Sequence, residues 1–71
     1  MYYYTFHAVN AHTGELSHRE ELNFDELDSF MLGARRRHAA CRVRRNDGRT
    51  VWYDDNGTDW VRVGAPVAVV A

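Results

Sequence analysis

Apolar and mixed positions alternate along the first nine residues. The apolar positions of this alternation are Tyr2, Tyr4, Phe6 and Ala8. Because successive side chains of a strand point to opposite faces, the pattern predicts a strand over residues 2–9 with one apolar face. A turn follows at His12-Thr13-Gly14. Residues 15–21 are polar enough to form either a second strand at a sheet edge or a loop, and the sequence leaves both open.

Apolar positions recur at helical spacing after Asn23. They are Phe24, Leu27, Phe30, Met31 and Ala34, which form one stripe of a helix. Asn23 is a favourable N-cap, and Glu26 stands three residues later, in the spacing of a capping box. We therefore predict a helix from Asn23 to about His38 that packs its apolar stripe on a sheet.

Two turn signals divide the second half of the chain into three strands. Asp47-Gly48 and Asn56-Gly57 are pairs that favour two-residue type I′ loops, since both loop positions need positive φ. The predicted strands are 41–46, 49–54 and 59–63.

Two-residue loops would set the register of these strands, with Val43 opposite Trp52 and Arg42 opposite Tyr53. One face would then hold the core residues, which are Cys41, Val43, Trp52, Val61 and Val63. The other face would carry a stripe of arginines and aromatic residues, which is Arg42, Arg44, Tyr53, Trp60 and Arg62, together with Val51. A shift of the register by one residue would exchange the two faces.

These elements predict an α+β fold in the order β-β-α-β-β-β. An antiparallel sheet of four to five strands would carry one helix packed on one face. The chain of 71 residues has the size of a single small domain, 1–71, with an apolar C-terminal tail at 64–71. The sequence leaves open whether that tail pairs at a sheet edge, packs on the core or frays.

The chemistry-bearing residues predict a protein that is not an enzyme and holds no metal or cofactor. The single cysteine, Cys41, excludes an internal disulfide, and its apolar neighbours predict a buried thiol. The four histidines lack the spacing of metal ligands, and there is no glycine-rich phosphate loop. No secretory signal pattern opens the chain and no apolar run reaches the ~18 residues of a membrane span, so we expect a cytoplasmic protein without a membrane partner.

Charge is segregated along the chain, although the formal net charge is only −1. Residues 1–30 hold six acids and one arginine, whereas residues 31–49 hold seven arginines and one acid. This segregation predicts two charged binding surfaces. The acidic surface comprises Glu20, Glu21, Asp25, Glu26 and Asp28. The basic and aromatic surface comprises Arg35, Arg36, Arg42, Arg44, Tyr53, Trp60 and Arg62.

Each predicted surface has two interpretations. Arginines neutralise phosphates and aromatic rings stack on bases, so the basic and aromatic surface suits nucleic acid. The same residues also suit cross-strand cation–π pairs that only cover a solvent-facing sheet. The carboxylates of the acidic surface are spaced in a way that can imitate a phosphate backbone, and they equally suit a solvated helix start beside an edge strand.

A pattern of strand and turn residues closes the chain: Val43-Arg44, Asn46-Asp47-Gly48, Val51-Trp52-Tyr53, Asp55, Gly57 and Trp60-Val61. This pattern and the predicted order of elements resemble a family of small phage-encoded anti-CRISPR proteins of type I systems. In that family, basic residues on the helix contact the DNA-binding surface of the CRISPR surveillance complex and can engage DNA. The resemblance implies this role for Arg35, Arg36 and Arg37. The chain departs from the pattern in having no lysine and an acidic N-terminal half, which leaves open that it acts as an acidic DNA mimic.

We therefore expect a non-catalytic inhibitor that binds a type I CRISPR surveillance complex, or one of its Cas subunits, and blocks the recognition of target DNA. The alternative is a small nucleic-acid-binding module that contacts DNA or RNA through its arginine and aromatic sheet face. A monomer or a weak dimer is expected, because a free sheet edge and an apolar tail offer surfaces for self-association.

Overall fold

The fold is an antiparallel five-stranded sheet with one helix packed on one of its faces. The computed structural model describes residues 1–66, in the order β1 Tyr3–Val9, β2 Leu16–Asn23, α1 Phe24–Ala34, β3 Ala40–Arg45, β4 Thr50–Asp55 and β5 Trp60–Val63. The sheet order is β2-β1-β3-β4-β5, and all neighbouring strands are antiparallel. The predicted α+β class and element order are confirmed. The predicted apolar tail extends beyond the described residues, since 67–71 lie outside them.

The polar segment that the sequence left open forms the edge strand β2. The turn before it is held by Asn10, whose side-chain oxygen accepts hydrogen bonds from the backbone N–H groups of His12 at 2.9 Å and Thr13 at 3.2 Å. The backbone N–H of Asn10 donates to the carbonyl of Glu15 at 2.9 Å and closes the hairpin. Most β2 side chains are exposed and Leu22 is buried, so this strand needs few apolar residues.

Helix α1 begins where the capping box predicts. The backbone N–H of Glu26 donates to the side chain of Asn23 at 3.0 Å, and the backbone N–H of Asn23 donates to the Glu26 carboxylate at 3.1 Å. The helix ends at Ala34, earlier than the predicted end near His38. The backbone N–H groups of Arg37 and His38 both donate to the carbonyl of Ala34, which closes the helix with a tight turn and directs the chain into β3.

The core lies between α1 and strands β1, β2 and β3. Its buried residues are Phe6, Ala8, Leu22, Ala34, Cys41 and Val43. The rings of Phe6 and Phe30 meet edge to face with centroids 5.0 Å apart, a favourable aromatic geometry. Phe24, which the sequence places in the apolar stripe, is 70% exposed. Phe24 is the first residue of the helix, and it does not belong to the buried cluster that the later turns form.

The predicted register between β3 and β4 is wrong by one residue. Arg42 pairs with Trp52, and Val43 pairs with Val51. The reason is the turn: the backbone N–H of Arg45 donates to the carbonyl of Arg49 at 2.7 Å, so the loop holds Asn46-Asp47-Gly48 rather than two residues. Three-residue hairpin loops place a residue in the left-handed region, and Gly48 takes that position with a φ of 95°.

The predicted register between β4 and β5 is wrong by two residues. Tyr53 pairs with Arg62 and Asp55 pairs with Trp60, where the sequence placed Tyr53 opposite Trp60. The side chain of Asn56 accepts hydrogen bonds from the backbone N–H groups of Thr58 and Asp59, which extends the turn. Strand side chains alternate with a period of two, so an error of two residues does not change which β4 and β5 side chains share a face.

The one-residue difference between β3 and β4 exchanges the faces of β4 and β5. Tyr53 and Trp60 join the core cluster on the face that α1 covers, which we name the covered face. Trp52 lies on the opposite face with Arg42, which we name the open face. The prediction that Trp52, Val61 and Val63 are core residues is therefore wrong, since all three share the face of Arg42. The prediction that Tyr53, Trp60 and Arg62 share a face with Arg42 is wrong for the same reason.

Candidate functional site on the open face

The open face is the side of the sheet opposite α1. Strand alternation and the observed register place on it Thr5 and His7 from β1, Arg42 and Arg44 from β3, Trp52 and Asp54 from β4, and Val61 and Val63 from β5. No helix within residues 1–66 packs against this face. It is therefore the broad surface on which the fold leaves side chains available to a partner.

Arg42 lies at the centre of the open face because β3 is the middle strand of the sheet. Its neighbours across the strands are His7 on one side and Trp52 on the other. An Nη of its guanidinium lies 3.3 Å from Nδ1 of His7. The carbon Cζ of the guanidinium lies 5.7 Å from the centroid of the Trp52 ring, within the range of a cation–π interaction. The three side chains form one cross-strand row, His7–Arg42–Trp52.

The contact between Arg42 and His7 suits a neutral imidazole. Arginine is always a donor, so a hydrogen bond here requires Nδ1 of His7 to be unprotonated and to accept. Burial lowers the pKa of His7, and the positive charges of Arg42, Arg19 and Arg44 lower it further. The neutral form is therefore the one that the free protein favours, and bound negative charge would shift this balance toward the imidazolium.

The guanidinium of Arg42 is incompletely satisfied. Its Nε is inaccessible to solvent and has no hydrogen-bond partner among the described residues. Burial lowers the pKa of Arg42, and the neighbouring charge of Arg44 adds to this effect. A cation in this position has lost part of its hydration without gaining a carboxylate partner, so an anionic ligand on the open face would stabilise it.

Two further arginines extend the positive charge. Arg44 is exposed, and its Nε donates to the hydroxyl of Thr50 across the strand pair at 3.4 Å. Arg19 on the edge strand pairs with Glu21 at 2.6 Å, with both side chains largely exposed. The strands place two acids on this face, Glu21 and Asp54. Glu21 is paired with Arg19, and Asp54 lies near the end of β4, away from the centre. The centre of the open face is therefore basic.

The predicted basic and aromatic surface is divided between the two faces. Arg42 and Arg44 lie on the open face, whereas Tyr53, Trp60 and Arg62 lie on the covered face. The indole N–H of Trp60 donates to the carbonyl of Met31 at 2.7 Å, in the last turn of α1. Trp60 thus supplies a partner to a carbonyl at the end of the helix, where intrahelical donors run out.

The two arginines predicted at the end of the helix have different environments. Arg35 donates to the carboxylate of Asp55 at 3.1 Å, and the two side chains are only 19% and 18% exposed. Arg36 is exposed beyond the helix end, as is the neighbouring Arg37. Arg35 therefore joins α1 to β4, while Arg36 remains available to a partner.

The predicted acidic surface is exposed but not continuous. All five residues are exposed. Glu20 pairs with Phe6 and Glu21 pairs with Thr5, so these neighbours point to opposite faces of the sheet. Glu21 is engaged by Arg19, and Glu26 is engaged by the capping box. Asp25 and Asp28 are left as exposed helix carboxylates, and the five do not form one charged plane.

Two residues of the central row, His7 and Trp52, were not among the sequence-predicted site residues. The signal that would have found Trp52 is Asn46-Asp47-Gly48 read as a three-residue loop, whereas His7 depends on the pairing of β1 with β3, which no turn between them fixes. The Asp47 side chain accepts from the backbone N–H of Arg49 at 3.2 Å, a local bond that supports this longer turn. With that loop length, the register places Trp52 beside Arg42.

The structure also gives the positions of the candidate metal ligands and of Cys41. Within residues 1–66, no group of three or more histidine, cysteine, aspartate or glutamate side chains has the arrangement of a metal site. Cys41 is 1% exposed, and burial, with a smaller effect of Asp54, raises its pKa to about 12. The described residues contain no helix whose length and apolarity would allow it to cross a membrane.

Comparisons of the chain with protein-family models, curated proteins and solved structures find no match.

Proposed function

We propose that this protein is a non-catalytic nucleic-acid-binding module that contacts single strands of DNA or RNA with its open face. The observation that carries the proposal is the row His7–Arg42–Trp52 on the sheet face opposite α1, flanked by Arg44. Arginines neutralise backbone phosphates, and an aromatic ring on a sheet accepts stacked bases. Unstacked single strands can present both groups to such a face, because their bases are free to leave the helix.

The test is fluorescence anisotropy of a labelled oligothymidine with the full chain at two salt concentrations. We expect the association constant to fall with salt. A plot of its logarithm against the logarithm of the salt concentration should have a slope of about −0.7 for each phosphate contact. Arg44→Ala should weaken binding and reduce the slope by about one such contact. Arg62→Ala is the matched control, since Arg62 is an exposed strand arginine on the covered face. Absence of binding at low salt, or equal effects of the two variants, would contradict the proposal.

A second candidate is a non-catalytic inhibitor that occupies the DNA site of a type I CRISPR surveillance complex. The observation that favours it is the exposed pair Arg36-Arg37 directly after α1, where the sequence resemblance implies residues that contact the complex. In that family, basic helix residues contact the complex. The two candidates therefore use different surfaces, and charge reversal can separate them.

The separating experiment is a gel shift of target DNA with a preassembled surveillance complex. The inhibitor candidate predicts that the protein abolishes the shift of the complex while leaving free DNA unshifted. Reversal of Arg36 and Arg37 to glutamate should then remove inhibition, and reversal of Asp25 and Asp28 to lysine tests the acidic alternative. Arg35 and Glu26 are poor choices here, because each is engaged in a structural contact. If the complex shifts DNA normally in the presence of the protein, this candidate is wrong.

A further inference from the structure

The open face also contains a groove beside Trp52, whose lining does not include Arg42 or Arg44. Its lining includes Val9, Ala40, Trp52, Asp54 and Val63, together with Gly64 and Pro66 after β5, and its volume is about 250 Å³. The aliphatic side chains give it an apolar character, while Asp54 supplies a carboxylate. Trp52 and Asp54 are two residues apart on β4, so they point to the same face with about 6.6–6.8 Å between their positions along the strand.

Asp54 is an unusual residue for this position. It is exposed, and no side chain or backbone group within residues 1–66 donates a hydrogen bond to its carboxylate. Two other aspartates near the turns have such partners, since Asp47 accepts from Arg45 and Asp55 accepts from Arg35. A lone carboxylate beside a phosphate-binding row would oppose the binding of a backbone that lay directly on it. Asp54 is better suited to a group that donates hydrogen bonds.

We propose that this groove recognises guanine, with the base stacked on Trp52 and its Watson–Crick edge against Asp54. The inference rests on the proposed nucleic-acid-binding function and names the base that this face prefers. An ionised carboxylate only accepts hydrogen bonds. Guanine presents two adjacent donors on that edge, the N1–H and the exocyclic amino group, which match the two oxygens of a carboxylate.

The other bases fit Asp54 less well. Adenine and cytosine each present one amino donor beside an acceptor nitrogen, so one oxygen of Asp54 would face a lone pair. Thymine and uracil present one N–H between two carbonyl oxygens, which the carboxylate repels. The preference therefore follows from hydrogen-bond complementarity at Asp54, whereas stacking on Trp52 and phosphate contacts at Arg42 and Arg44 are common to all bases.

The experiment compares four nine-nucleotide oligothymidines that differ only at the central position, which is guanine, adenine, cytosine or thymine. Anisotropy of the full chain with each oligonucleotide gives four dissociation constants at one salt concentration. We expect the guanine oligonucleotide to bind on the order of tenfold more tightly than the all-thymine one. Asp54→Asn should abolish this preference, because an amide accepts hydrogen bonds only at its oxygen and cannot receive both donors of guanine.

Asp59→Asn is the matched control, since Asp59 is an exposed aspartate in the turn between β4 and β5. It should keep the guanine preference of the wild-type chain. Salt-sensitive binding without a guanine preference would overturn this inference and leave the proposed function intact. A preference that survives Asp54→Asn would also overturn it. Failure of all four oligonucleotides to bind would overturn the proposed function, and this inference with it.

Discussion

Each face of the sheet has an arginine and a tryptophan, but the two faces differ in how completely these side chains are hydrogen-bonded. On the covered face, the Trp60 indole donates to the Met31 carbonyl, and Arg35 is paired with Asp55. On the open face, Arg42 lies over Trp52 with its Nε unpartnered among the described residues. The arginine and the tryptophan of the covered face thus have hydrogen-bond partners within the fold, whereas the guanidinium of Arg42 has no carboxylate partner among the described residues. Residue type alone does not distinguish a structural contact from a binding surface, whereas the completeness of hydrogen bonding does.

The largest expected effect is a loss of stability from a substitution in the core on the covered face. Phe6 is fully buried and packs edge to face on Phe30, so Phe6→Ala removes a ring from the centre of the core. We expect it to lower the free energy of unfolding by about 3–5 kcal/mol, which is a large share of the stability of a small domain. Urea denaturation followed by circular dichroism measures this change. An unchanged midpoint would show that the core is elsewhere.

A smaller effect on stability should distinguish substitutions of the two tryptophans. Trp60→Phe keeps a ring on the covered face but leaves the Met31 carbonyl without its indole donor, which should cost about 1–3 kcal/mol of unfolding free energy. The matched variant Trp52→Phe removes no such hydrogen bond and should change stability by less than about 0.5 kcal/mol. Equal losses in the two variants, measured by urea denaturation, would mean that the faces are assigned incorrectly.

The reverse pattern is expected for binding. Trp52→Ala should weaken the binding of single-stranded DNA by about 1–3 kcal/mol, because it removes the stacking surface of the open face. Trp60→Phe should leave this affinity unchanged, since Trp60 faces the helix. Anisotropy titrations at constant salt measure both. If Trp60→Phe weakened binding as much as Trp52→Ala, the open face would not be the binding surface.

The smallest expected effect concerns two histidines on opposite faces. Burial lowers the pKa of His7 and of His38; neighbouring arginines add to the effect at His7, and His18 and Arg37 add to it at His38. Since the folded state favours the neutral imidazoles, their contribution to stability is complete above the unfolded value of 6.5 and is lost as pH falls through the lower folded values.

Nucleic acid should distinguish these histidines. An NMR titration of the ring protons should show the pKa of His7 rising when an oligonucleotide is bound, because phosphate charge offsets the charges of Arg42 and Arg44. His38 packs near Phe6 with ring centroids 5.8 Å apart, on the covered face, and its pKa should not move. A rise at His38 without one at His7 would place the ligand on the wrong side of the sheet.

The sequence predicts the elements of this fold well because their signals are local. The capping box of Asn23 and Glu26 begins α1, the alternation around Phe6 gives β1, and glycines mark the turns. The faces of β4 depend instead on how many residues the turn at Gly48 holds, and the pair Asp47-Gly48 suits loops of two or three. The candidate site was missed for this reason, since Trp52 and Arg42 were both noticed but were assigned to opposite faces.

The three-residue loop before β4 also determines where this hairpin can change in length. Deleting one residue between Arg45 and Arg49 would leave this pair closed by a two-residue loop, so Trp52 would stay opposite Arg42. Deleting one residue of β4 between Arg49 and Trp52 would instead turn Trp52 toward the helix and Tyr53 away from it. Natural variants should therefore differ in length within the loop and keep the length of β4 up to Trp52.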